Sequence, residues 1–149
     1  MAARTHEHTK ARQAAVKVLY SAEICELSPK EIISQGTYPE EGGIIDDYAL
    51  TLIEGVEEHV KEIDEILSDA SENWAVSRMP IIDRCVLRLA AFEMLYIDSV
   101  PMSVSINEAV ELAKAFGGED ESHRFVNGVL GKIAATLSGE EYEEADEDE

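Results

Sequence analysis

Basic residues are scarce in this chain. Twelve Lys and Arg stand against 32 Asp and Glu in 149 residues, a formal net charge of −20. So anionic a surface repels a phosphate backbone at long range, which excludes indiscriminate binding of nucleic acid. Cysteine is nearly absent. Cys25 and Cys85 are isolated, without metal-ligand spacing, and read as small buried hydrophobes rather than a disulfide. No apolar run reaches the ~18 residues of a membrane span. The opening residues MAARTHEHTKARQ lack the apolar centre of a signal peptide. The expected location is therefore cytoplasmic. Proline and glycine are few, at 4 and 9, and no alternating run long enough for a strand occurs. A glycine-rich phosphate loop, a nucleophile elbow and a His-x-x-x-His pair are also missing. His6 and His8 near the start, and His59 among acidic residues, read as exposed side chains. Nothing here supports catalysis, a cofactor or a bound metal.

What is present is apolar content at helical spacing. The hydrophobic fraction of 45% suits a packed core, and the whole chain reads as all-α. Residues 1–8 are expected to form a flexible basic arm. From Thr9 to about Glu26, Ala11, Ala15, Val18, Leu19, Ala22 and Cys25 make one face, which turns Lys10, Arg12 and Lys17 toward solvent. Ser28-Pro29-Lys30-Glu31 is a capping box with proline at the first helical position, so a short helix starts there. Asp46 to about Ala70 reads as one continuous helix. Leu52, Ile53, Val56, Val60, Ile63 and Leu67 lie on one side of it, and Glu54, Glu57, Glu58, Glu62 and Glu65 on the other.

Residues 71–79 read as a junction, with Trp74 expected to plug the joint between two halves. The helix from about Pro80 to Tyr96 is too apolar for a lone surface helix and is expected to be central. Arg88 interrupts its apolar run and calls for a buried carboxylate partner. Arg84, Arg88, Asp83, Glu93, Asn107 and Glu108 are candidates for an inter-helix polar network. Residues 101–134 read as two helices around a polar bend. Ser122 is the expected N-cap of the second, and Gly128 and Gly131 suggest a close neighbour there. The resulting plan is about seven helices in two packed three-helix halves, 9–70 and 80–137. A disordered acidic tail follows at 138–149, where eight of the last ten residues are Asp or Glu.

Three stretches carry a family resemblance. INEAVELAKAFG, an acidic-serine bend and RFVNGVLGKIA resemble the C-terminal signature of the NusB family. ARQAAVKVLYSAEI resembles that family's first helix, and RMPIIDRCVLRLAAFEMLYIDSVP its central helix. The order and spacing of the three make the match specific. The resemblance implies an all-helical transcription antitermination factor, non-enzymatic, that binds single-stranded boxA RNA of ribosomal and phage leaders. It further implies NusE, a small-subunit ribosomal protein, as partner, and the RNA polymerase antitermination complex as the setting. Some family members form homodimers, and a homodimer would hide the RNA surface.

The RNA candidates fall in two groups. Residues 1–20 hold Arg4, Lys10, Arg12 and Lys17 against a single acid, Glu7. Such cations neutralise phosphates without reading sequence. On composition alone, ordinary solubilising charge is the better reading; the resemblance reverses that in favour of RNA. The second group is the bend. Asp120, Arg124 and Phe125 hold places matching the family's boxA contacts, although one extra residue leaves Asp120 and Glu121 as alternatives. By period, Phe125 also fits the core stripe. Two other readings stand beside antitermination. One is a helical adaptor that binds protein without specific RNA. The other is the RNA-targeting domain of a ribosomal RNA methyltransferase, which the lack of a following catalytic domain disfavours.

Overall fold

The computed structural model describes residues 2–35, 45–72, 74–117 and 121–139, with side chains from His8 onward. Seven α-helices and no strand occur among the described residues: α1 (Ala2–Cys25), α2 (Pro29–Gln35), α3 (Asp47–Glu58), α4 (Val60–Ser71), α5 (Ile81–Tyr96), α6 (Met102–Phe116) and α7 (Ser122–Leu137). A 3-10 turn, Val76–Arg78, precedes α5. The all-α reading and the helix number hold. The acidic tail from residue 140 lies outside the described residues.

The central helix is α5, which packs against α1, α3, α4, α6 and α7. Cys85, Val86, Leu87, Leu89, Ala90, Ala91, Phe92 and Met94 are all buried on it. A helix apolar on every side can only be satisfied by neighbours on every side. α1 is buried over a wider arc than a single stripe because α3 and α5 flank it on two sides. Ala14 and Val16 join Ala11, Ala15, Val18, Leu19 and Ala22 in its core. Its backbone is helical from Ala2, so the helix begins well before Thr9.

Local signals behave as their chemistry requires. The Ser28 amide donates to Glu31 Oε1 (2.8 Å) and the Glu31 amide to Ser28 Oγ (3.1 Å), closing the capping box of α2. Asp46 caps α3 by accepting from the Tyr48 amide (2.9 Å).

Several expectations are corrected. Residues 46–70 are two helices, broken at His59 (φ −112°, ψ 21°). The break is one residue wide and backbone bonds continue across it, so the apolar period runs through it undisturbed. Cys25 is exposed, because α1 outruns the core at its last turn, whereas Cys85 is buried. Trp74 is 46% exposed and leans on Phe125 of α7 (ring centroids 5.6 Å apart), so it covers a surface rather than plugging a joint. A Cβ on Gly128 or Gly131 would meet nothing within 4 Å, so no neighbour crowds α7 there. The close approach is at Gly55, where a Cβ would lie 2.1 Å from the end of the Phe92 ring. Phe92 is 5% exposed and stacks on Tyr96, leaving its ring little room to retreat.

Opposite signs are therefore expected for glycine-to-alanine changes in urea unfolding. Gly55→Ala should destabilise by about 1–3 kcal/mol through overpacking. Gly128→Ala and Gly131→Ala should each stabilise by up to about 1 kcal/mol through helix propensity. Burial, reinforced by the charge of Glu23, pushes the Cys85 thiol up to about 12. The folded chain thus holds a proton that the unfolded chain releases near pH 9. Unfolding above that pH releases a proton, so stability falls as pH rises, by about 1.4 kcal/mol per unit from this group. Urea titrations at pH 8 and 10 should show this fall in the wild type and a smaller one in Cys85→Val.

Candidate nucleic-acid interface

Lys10, Lys17 and Tyr20 share one face of α1, since spacings of seven and three return to nearly the same side of a helix. Lys10 is exposed. The Lys17 ammonium lies 5.9 Å from the centroid of the Phe116 ring, over its face. Tyr20 is 40% exposed. Beside them opens a groove of about 560 Å³, lined by Lys17, Tyr20, Pro80, Ile81, Ile82 and Phe116. It is an apolar slot with a cation and a phenol at its edge. Sequence reading missed Tyr20 and Phe116 as site residues. Tyr20 was legible as the residue three after Lys17, while Phe116, at the apolar period of α6, carries the spacing of a core residue.

The end of α6 lies at this place, since Phe116 sits beneath Lys17 and the chain leaves α6 at Gly117. On the far side of the bend, Ser122 Oγ donates to Asp83 Oδ2 (3.1 Å), pinning the start of α7 to the start of α5. Ser122 is thus a buried tether and not the expected cap; Glu121 holds the cap position, with no capping bond from its side chain to the helix amides. Arg124 is exposed and makes a loose pair with Glu121 (3.4 Å), worth little in water. Phe125 is half-buried, touching the core on one side and Trp74 on the other. Asp120 lies outside the described residues, and of Arg4 only the backbone is described.

Arg12 is a correction. It is 1% exposed and offers no cation to solvent. Its Nε donates to both oxygens of Glu93 (3.1 and 3.0 Å), its Nη2 lies 2.9 Å from Glu93 Oε2, and its Nη1 reaches Glu108 Oε1 at 3.2 Å. Ser105 Oγ donates to Glu93 (2.7 Å) and Thr9 Oγ1 to Glu108 (2.8 Å). The Tyr48 hydroxyl donates to Glu93 as well. Burial holds that phenol protonated far above its ordinary range, and the bond to Glu93 pushes it the same way. His8 stacks on Tyr48, with ring centroids 4.0 Å apart. The cluster binds α1, α3, α5 and α6 to one another. Its partners come from helices remote in sequence, so the spacing within α1 gave no sign of it.

The other arginine network also differs from expectation. Arg88 grips Asp64 of α4 with two bonds (2.9 and 2.8 Å) and shares Glu23 of α1 with Arg84. Asp64 is half-exposed rather than buried. This network faces α1 and α4, whereas Glu93 and Glu108 serve Arg12 on the other side of α5.

The sequence profile of the NusB family matches residues 9–135. The chain belongs to the NusB family. It is 44% identical over 128 residues to the transcription antitermination protein NusB of Geobacillus kaustophilus, covering 86% of this chain and 95% of that one. NusB of T. maritima superposes with a TM-score of 0.73 at 31% identity, covering 95% and 96% of the two chains. The NusB chain in a crystal structure of the antitermination factors NusB and NusE with double-stranded RNA gives 0.71 at 26% identity, covering 87% and 96%. The matched span takes in Lys10, Lys17, Arg124 and Phe125 and leaves out Arg4 and the acidic tail. No helix among the described residues is long and apolar enough to cross a membrane.

Removing the Arg12 guanidinium strands the Glu93 charge in the core, which costs about 3–5 kcal/mol. Arg12→Gln should therefore lose most of the urea stability at pH 7, and Lys10→Gln almost none. Equal stability of the two variants by circular dichroism would show that the cluster carries no structural weight.

Proposed function

We propose that this chain is a transcription antitermination factor. In this reading it binds boxA-type single-stranded RNA of ribosomal RNA leaders together with NusE and supports processive transcription. The observation that carries it is the NusB match across nearly the whole chain, with relatives named as transcription antitermination proteins. A similar fold captured with both NusE and RNA adds support. The role requires contacts rather than bond making, so the chain is read as a non-catalytic binding factor. It belongs beside RNA polymerase in the cytoplasm.

The proposed RNA path runs from Lys10 and Lys17, along the groove edged by Tyr20 and Phe116, to Arg124 and Phe125 at the start of α7. Arg4 and Asp120 stay in the proposal as further RNA contacts. Arg12 enters as a positioning residue: it fixes the roll of α1, which decides where Lys10 and Lys17 point. A path with few cations in a chain of net charge −20 gives weak binding alone. A second protein holding the same strand raises the effective concentration of each surface. A protein-only adaptor is the alternative.

Titration of a fluorescent boxA oligonucleotide and a scrambled one, with and without NusE, separates the two. The expected outcome is preference for boxA, strengthened by NusE. In Lys10→Glu, Lys17→Glu the affinity should fall at least about tenfold, and the salt slope should shrink by roughly 1.4, or ~0.7 per lost single-strand phosphate contact. Equally weak binding of both RNAs, with and without NusE, would establish the adaptor instead.

A further inference from the structure

Trp74 is the single tryptophan of the chain, and it stands at the surface with 46% of its area open. Its exposure does not come from a loose segment. The Ser71 hydroxyl donates to the Trp74 carbonyl (2.6 Å). Val76 and Met79 are buried just beyond it. Arg84 Nη1 donates to the Val76 and Ser77 carbonyls, at 3.3 Å each. The turn is thus anchored from α4 and α5, and the indole is held outward by its backbone. Phe125 touches the indole with planes 47° apart and centroids 5.6 Å apart, a contact that supports the ring and leaves much of it uncovered.

The charges around the pair favour an anion. Arg78, four residues on in the same turn, is exposed and makes no ion pair among the described residues. Arg124, next to Phe125, is 75% exposed at its side chain and only loosely held by Glu121. Glu72, two residues before Trp74, is engaged by Lys132. Exposed aromatic rings flanked by guanidinium groups suit a nucleobase with its adjoining phosphates, since every base offers a stacking face. The pair also continues the proposed path, because Phe125 lies one turn into α7 from the bend.

We propose that Trp74, supported by Phe125, is a stacking platform for a base of single-stranded RNA, with Arg78 and Arg124 meeting the neighbouring phosphates. This rests on the RNA-binding reading above and extends its path around the start of α7 onto the 3-10 turn. The platform binds RNA and takes no part in holding NusE. It is preorganised, so little ordering opposes stacking.

The test uses the full chain with NusE, a boxA 12-mer and its abasic counterpart. Anisotropy of labelled RNA reports binding, and Trp74 emission reports stacking, with a Trp74→Phe sample as the partner's background. Saturation with the 12-mer should quench Trp74, and the abasic strand should not. Trp74→Ala should weaken binding about tenfold and Trp74→Phe by less than about threefold. Both variants should keep the wild-type unfolding midpoint within a few degrees. RNA that binds without changing the emission, or Trp74→Ala binding within twofold of wild type, overturns the platform and leaves the RNA-binding reading intact. Quenching by NusE alone, or equally by the abasic strand, overturns it also, in the first case in favour of a protein contact. No RNA binding by the wild type under any condition overturns both readings.

Discussion

The carboxylate of Glu93 is the point on which this structure turns. It is fully buried, in the last turn of the central helix. An unpaired charge there would cost several kcal/mol. Arg12, Tyr48 and Ser105 each bring a donor, so α1, α3 and α6 must all arrive at the right roll and height around α5. Hydrophobic burial alone tolerates rotation of one helix on another. A buried carboxylate with directional partners does not, because each missed bond strands a polar group. Glu108, reached by both Arg12 and Thr9, extends the demand by two more bonds between α1 and α6.

That constraint reaches the surface. Once Arg12 is committed inward, the rest of α1 has a fixed orientation: Lys10 and Lys17 take the opposite arc, and Tyr20 the border beside it. The end of α6 then lies beneath Lys17, and the tether from Ser122 to Asp83 carries the chain into α7 beside the same region. A scarce set of cations is thereby gathered on one part of an otherwise acidic body. Acidic faces elsewhere, such as the glutamates along α3 and α4, leave a polyanion little choice of approach. In the proposed role, contacts too weak alone become sufficient when a partner shares them.

The second arginine network has a different character. Arg84 and Arg88, themselves largely buried, hold the partly exposed carboxylates of Glu23 and Asp64, where water still reaches the acids and tempers the contribution to stability. Its use is geometric: it clasps the end of α1 and the middle of α4 to α5, next to the helix break at His59. Gly55 and Phe92 explain why the helices can lie so close there, since any side chain at 55 would collide with the ring.

Much of this was legible in the chain itself. Apolar spacing marked the long helices, though it ran α3 and α4 together, the Ser28–Glu31 box set the start of α2, and the crowding of apolar residues between Ile81 and Tyr96 announced a central helix. The resemblance at three well-ordered stretches indicated the family. These are signals written within one or two turns of the residues concerned, where backbone geometry alone decides which side chains are neighbours. What lay beyond them depended on partners far away in sequence. Arg12 looked like a solvent cation until Glu93 and Glu108, more than eighty residues later, were folded against it. Trp74 looked like core until the anchored turn held it outward, and Gly128 and Gly131 looked crowded while the crowding was at Gly55. By itself the sequence determined the helices and the family, through short-range periodicity. Only the tertiary structure decided which charges are buried and which stand at the surface, because burial belongs to the packed assembly of helices and not to any one of them.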